Sequence, residues 1–139
     1  GIAASVLGRL GHLLGEVRYL EAAERTLRAG WNAVSEYPHA HTAMLLALEE
    51  YLYPPQTIIL RGDPPTLESW QGRCQRAYAP RRLTFAIPSD ADPLPGLLAE
   101  RAPRPETVAY VCQGHQCRAP ISDFNELETA LASTEALRA

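Results

Sequence analysis

The chain has 139 residues, 46% of them hydrophobic and 21% charged, with a net charge of −3. This is the balance of an ordinary globular protein, and it excludes the basic footprint of a nucleic-acid binder. No stretch approaches the roughly 20 apolar residues of a membrane span, no basic leader with an apolar core marks a signal peptide, and three cysteines are an odd number for a secreted disulfide framework.

These features predict a cytoplasmic chain with no membrane or nucleic-acid partner. A chain of this length buries roughly 65–70% of its unfolded surface without help from disulfides.

The first third reads as helix. Ile2, Val6, Leu7, Leu10, Leu13 and Leu14 recur at three- and four-residue spacing. Ala4, Gly8, Gly11 and Gly15 form a second, small-residue stripe, which predicts close approach by another helix. The pattern opens at once, at Gly1, without a cap, so the chain is expected to be part of a longer protein with an apolar helical face and a tendency to self-associate. A second helix is predicted from Arg18 to Val34 and a third from Pro38 to Tyr53, stopped by Pro54-Pro55.

The period then changes. Gln56–Gly62 is a short apolar run ending in glycine, the pattern of a buried parallel strand. Thr66–Tyr78 reads as a helix capped by Thr66, with Leu67, Trp70, Cys74 and Ala77 inward. Leu83–Pro88 is a second strand, Asp92–Arg101 a short helix, Val108–Cys112 a third strand, and Phe124, Leu127 and Leu131 mark a last helix, with the tail after Ala132 fraying. The predicted fold class is α/β: helical hairpins over residues 1–54, then a small three-stranded parallel βαβαβα unit over residues 55–139.

Possible chemistry concentrates in Cys112-Gln113-Gly114-His115-Gln116-Cys117, which follows a strand. Cys112, His115 and Cys117 are candidate zinc ligands, with Cys74 or His12 as a fourth, although a second paired knuckle is missing. A disulfide between Cys112 and Cys117 is the second reading, though the spacing is not that of a C-x-x-C oxidoreductase. The third reading, and the expected one, is structural: free thiols, with Cys112 a small apolar residue at a strand end.

His39 and His41 flank the start of the third helix and are weak candidates for a general base. Arg61-Gly62-Asp63 follows a strand but lacks both G-x-G-x-x-G and a P-loop. No G-x-S-x-G is present. No cofactor is expected. A ligand site at the strand C-termini, near Gly62, Pro88 and Cys112, is a further alternative.

Two stretches carry a family resemblance. One is Tyr37-Pro38-His39-Ala40-His41 through Leu52, followed by Pro55 through Asp63. The other is Ala109-Tyr110-Val111-Cys112 with Cys117-Arg118-Ala119-Pro120 and Asp123. In this order they resemble the C-terminal end of YyaL-type proteins, also called spermatogenesis-associated thioredoxin-like proteins. The resemblance implies a thioredoxin-like domain and an α/α toroid, similar to that of N-acylglucosamine 2-epimerases and six-hairpin glycosidases, in the rest of the protein. Residues 1–54 would then be the last toroid helices, partnered by those missing parts. It implies an architecture and a carbohydrate-related setting, not a substrate. On this reading the present chain is non-catalytic alone; the rival readings are a redox or metal module at Cys112–Cys117 and an independent small ligand-binding domain.

Overall fold

A computed structural model of the chain describes residues 1–138, with side chains through residue 133. Its elements are α1 (Ile2–Leu14), α2 (Val17–Glu36), α3 (Thr42–Leu52), β1 (Gln56–Gly62), α4 (Pro64–Cys74), β2 (Arg82–Pro88), β3 (Val108–Gln113), β4 (Gln116–Cys117) and α5 (Phe124–Arg138). Single 3₁₀ turns span Pro38–Ala40 and Gly96–Glu100. The chain forms two compact units, one of Gly1–Pro55 with Pro95–Leu98 and one of Gln56–Leu94 with Ala99–Ala139.

In the first unit the helices meet through small side chains. Ala4, Gly11, Ala23 and Ala47 are buried, with Val34 the largest apolar side chain fully inside. A Cβ on Gly11 would lie 2.5 Å from Leu20 Cδ2 and 3.1 Å from the Leu20 main-chain nitrogen, so α1 and α2 touch closely there. Gly8 has nothing within 4 Å of the same position, so the predicted stripe makes its contact at Gly11 and not at Gly8. Arg9 forks onto Glu50 through Nε at 3.0 Å and Nη2, joining α1 to α3. Large apolar side chains point outward: Ile2 is 77% exposed and Leu46 61%, with Val6, Leu10, Val17, Trp31 and Leu52 also exposed. Leu13, expected on the same open face, is half-buried.

In the second unit β1 lies between its neighbours in a four-stranded sheet of order β2-β1-β3-β4. Alternation along the strands sorts two faces. Ile58, Leu60, Ala109 and Val111 face α4 and α5, where they meet Leu67, Trp70, Ile121, Phe124, Leu127 and Leu131. Trp70 meets Phe124 edge-on at 5.3 Å, and the Arg73 guanidinium lies 3.6 Å from the centre of the Phe124 ring. The opposite face carries Ile59, Arg61, Tyr110 and Cys112, whose β1 and β3 registers alternate in step.

The fold is mixed α/β, but the expected three-stranded parallel unit is not what forms. β1 and β2 are parallel, with α4 between them in sequence, whereas β3 runs antiparallel to β1 and a fourth strand is added. A parallel β3 would need a crossover that carries the chain back along the sheet. The segment between Pro88 and Val108 has proline after proline and one 3₁₀ turn where Asp92–Arg101 was expected to be a helix. The carbonyls of Pro88, Ser89, Ala91 and Arg101, near the two ends of that segment, gather at Arg61, where β2 finishes. Gly62 pairs with Pro88 and Arg61 with Val108, so β3 starts at that same end and runs back.

Arg61 fixes this turn-round. Its side chain is only 2% exposed, and among the described residues no carboxylate pairs with it. Its Nη1 donates to the Arg101 carbonyl at 2.7 Å, and Nη2 faces the carbonyls of Pro88, Ser89 and Ala91 at 3.3, 3.5 and 3.4 Å. The Tyr110 hydroxyl donates to the next carbonyl, of Ala102, at 2.7 Å.

Helix α4 also starts earlier than the sequence suggested. Asp63, not Thr66, is the cap; it accepts from the Thr66 main-chain N–H at 3.3 Å, and Pro64 and Pro65 fill the first turn, where a proline loses no hydrogen bond. The helix ends at Cys74, so Ala77 is exposed and Tyr78 is 93% exposed. The last helix continues to Arg138; the expected fraying after Ala132 concerns side chains that mostly lie outside the described residues.

Two substitutions in α1 should have opposite signs. Gly11→Leu pushes into the Leu20 backbone, which cannot rotate away, and should cost on the order of 1–3 kcal/mol. Gly8→Ala meets open space and should stabilise by up to about 1 kcal/mol through helix propensity. Urea melts of both variants check this, and equal signs would overturn the close contact. Arg61→Met should cost about 3 kcal/mol, because it leaves several part-buried main-chain carbonyls without their donor. Arg104→Met, at an exposed loop position, should stay within about 0.5 kcal/mol of the parent.

Candidate functional site

The cysteine loop is a hairpin. Gln113 pairs with Gln116 and Cys112 with Cys117, leaving Gly114-His115 as a two-residue turn. Gly114 has φ of 59° and His115 is not at positive φ, the arrangement of a type II′ turn, which wants glycine first. The pattern of Gly-x between two short runs was present in the sequence. Reading the loop as a link from a strand to a helix hides that pattern.

Cross-strand pairing places the two cysteine Cα atoms 4.0 Å apart, well inside the limit of about 7 Å, and the sulfurs are bonded. The expectation of two free thiols is thus replaced by a disulfide. The antiparallel register supplies a proximity that a four-residue spacer permits but does not impose.

The two sulfurs differ in surroundings. Cys112 is 8% exposed, whereas Cys117 is exposed on the two-residue edge strand. Arg101 Nη2 donates to Cys117 Sγ at 3.1 Å. A depression of 280 Å³ borders the bridge, lined in part by Gln56, Gln113, Gln116 and Arg118. His115 sits exposed at the turn. Both sulfurs are committed to the bond, so in this oxidation state neither is a thiolate ligand. Among the described residues no group of three or more His, Cys, Asp or Glu side chains could hold a metal ion.

Cys74, the proposed fourth ligand, is instead a free, buried thiol in the core of the second unit. Burial pushes its pKa up, outweighing the nearby cationic side chains of Arg82 and Arg73. His12 belongs to α1, in the other unit.

His39 lies in the 3₁₀ turn and is exposed, and His41 precedes α3 without capping it through its side chain. Neither belongs to the unit that carries the cysteines. The proposed ligand site at the strand C-termini does not assemble, because β3 is reversed. Gly62 and Pro88 are neighbours, but Cys112 pairs with Thr57, near the other end of β1. Asp63 also places a carboxylate on the α4 N-terminus, where an anion would otherwise sit.

A second group, missed in the sequence, lies in the first unit. Glu24, Leu27, Arg28 and Trp31 on α2 and Leu48 and Tyr51 on α3 line a cavity of 360 Å³. Arg28 donates to Glu24 at 2.7 and 2.9 Å. The Arg28 guanidinium, then the Tyr51 hydroxyl, hold the Glu24 carboxyl below its ordinary range. Desolvation, then Glu24, raises the Tyr51 phenol. The signal was positions 24, 28 and 31, which share a helix face at four- and three-residue spacing.

No family model matches the chain, and neither a curated protein nor a solved structure does.

Thiol chemistry distinguishes the three cysteines. Native, non-reduced protein should show almost no fast-reacting thiol toward a disulfide reagent, and the unfolded protein should show one, Cys74. Two or more fast thiols in the native state would remove the Cys112–Cys117 bond. Closing so short a loop should contribute about 2 kcal/mol or less, measured as the loss of stability on selective reduction.

Proposed function

We propose that the chain is the C-terminal portion of a YyaL-type protein. Residues 1–54 complete an α/α toroid, residues 55–139 form a small α/β appendix, and the chain carries no catalysis of its own. The observation that supports this reading most directly is the first unit's composition of surfaces. Its helices bury alanine, glycine and one valine, while Ile2, Val6, Leu10, Val17, Trp31, Leu46 and Leu52 face outward. Exposed apolar side chains in that number on three helices suit coverage by a partner surface. Further toroid helices of the same polypeptide are the partner this reading assigns, with a thioredoxin-like domain beyond them, in a cytoplasmic protein acting on a carbohydrate. In their absence the exposed layer favours self-association. Among the described residues no helix is long and apolar enough to cross a membrane.

The coding sequence immediately upstream of Gly1 tests this. Further helical hairpins and a thioredoxin-like region are expected; a start codon directly before Gly1 would refute the reading. The chain alone should turn over neither aldoses nor N-acylhexosamines. Positioned groups supply the roughly 10²–10⁴-fold of acid–base catalysis, and a toroid positions them from helices all around its cavity. Turnover above background that disappears in His39→Ala would assign an active site to the chain itself.

A further inference from the structure

We propose that the Cys112–Cys117 bridge is a thiol–disulfide exchange site for a dithiol, with Cys117 as the exchanging sulfur, Cys112 as the resolving sulfur and Arg101 as the residue that holds the Cys117 thiolate. The two sulfurs are unequal in the way exchange requires. Cys117 is open to solvent on an edge strand beside a depression, and Cys112 is 8% exposed behind it. A guanidinium 3.1 Å from Cys117 Sγ favours the thiolate over the thiol. Arg101 is held in place from its own main chain. Its carbonyl accepts from the buried Arg61 at 2.7 Å, and the neighbouring Ala102 carbonyl accepts from Tyr110 at 2.7 Å. The basic side chains nearest in the sequence are His115, in the turn, and Arg118, directly after β4.

The bridge can open without loss of the hairpin's anchorage. The Arg118 N–H donates to the Val111 carbonyl at 2.9 Å. Ala109 and Ile121 exchange main-chain bonds of 2.7 and 3.0 Å, and Ile121 is buried in the core. These bonds hold the chain beyond β4 to β3 whether or not the sulfurs are joined.

One thiolate of the dithiol attacks Cys117 Sγ, the Cys112–Cys117 bond breaks, and Cys112 leaves with the electron pair and takes a proton. The second sulfur of the dithiol then attacks its own partner sulfur in the mixed disulfide. Cys117 leaves as a thiolate beside Arg101. The dithiol is oxidised by two electrons to a disulfide, and the chain is reduced by two. In reverse, the Cys117 thiolate attacks a partner's disulfide and Cys112 resolves the adduct.

Dithiothreitol and a Cys-x-x-Cys peptide serve as probes, at pH 7 and without denaturant. The folded parent should be reduced by dithiothreitol while its circular dichroism persists. Reduction by the peptide as well would extend the site to protein-borne dithiols; reduction by dithiothreitol alone would restrict it to small ones. Arg101→Gln should lower the ratio of reduced to oxidised protein in a dithiothreitol redox buffer on the order of threefold to tenfold, and slow alkylation of Cys117 by a similar factor. Arg104→Gln should change neither. Cys112→Ser should trap glutathione on Cys117 from glutathione disulfide, whereas Cys117→Ser should not trap it on Cys112. A bridge that opens only as the protein unfolds, an unchanged ratio in Arg101→Gln, or equal trapping by both cysteine variants would overturn the proposal and leave the bridge a structural staple.

Discussion

The second unit depends on one buried cation. Arg61 sits at the end of the central strand with its guanidinium out of water and, among the described residues, no counter-ion. Removing a charge from water is costly unless hydrogen bonds replace the lost solvation. Here the replacement comes from main-chain carbonyls at Pro88, Ser89, Ala91 and Arg101, all in the segment that links β2 to β3. A planar fork of donors can gather carbonyls from separated positions in a way a single ammonium cannot. The consequence is topological. The connection is tied to the end of the sheet where β2 stops, and β3 has to leave from there.

Reversal of β3 then decides where the chemistry sits. With β3 antiparallel, Cys112 is carried toward the beginning of β1, away from Gly62 and Pro88. The hairpin that follows adds β4 on the outer edge and presents Cys117 to solvent. The last part of the same connection accepts from the Tyr110 hydroxyl at Ala102 and brings the Arg101 side chain to Cys117. One buried arginine thus orders the loop from which a second, partly exposed arginine reaches a sulfur.

The elements were legible because each rests on a local pattern. Three- and four-residue spacing marks α1 and α2, apolar runs bounded by turns mark β1, β2 and β3, and Phe124, Leu127 and Leu131 mark α5. Strand direction was not legible, because Val108–Cys112 alternates in the same way whether it runs parallel or antiparallel. The deciding fact lies between the strands: the proline-rich stretch before Val108 cannot form a helix long enough to return along the sheet. Helix boundaries failed where two caps competed. Asp63 and Thr66 both suit an N-cap, and Pro64-Pro65 settles the matter by fitting the first turn. Pairing of Cys112 with Cys117 depended on recognising Gly114-His115 as a turn, and that reading required the hairpin already in place. The Glu24, Arg28, Trp31 and Tyr51 cluster was half legible, since α2 contributes one face but its meeting with α3 is tertiary.

The two units also differ in what their interiors ask of the surroundings. The second closes on itself: Ile58, Leu60, Leu127 and Val108 are fully buried, and Ile121 anchors the chain beyond the hairpin. Its disulfide is therefore an addition to a fold already secured by apolar packing and a main-chain ladder, which is why opening it need not propagate. The first unit has no such interior. Its fully buried positions are glycine, alanine and one valine, which allow close approach but bury little apolar area per residue. At roughly 25 cal/mol per Å² of apolar surface removed from water, Leu46, Leu52 and Ile2 are worth more covered than they now return. Leu7, Leu13, Leu14, Leu20, Leu27, Met44 and Leu48 are only half-buried, so much of this unit's apolar surface still meets water, and covering it would add stability.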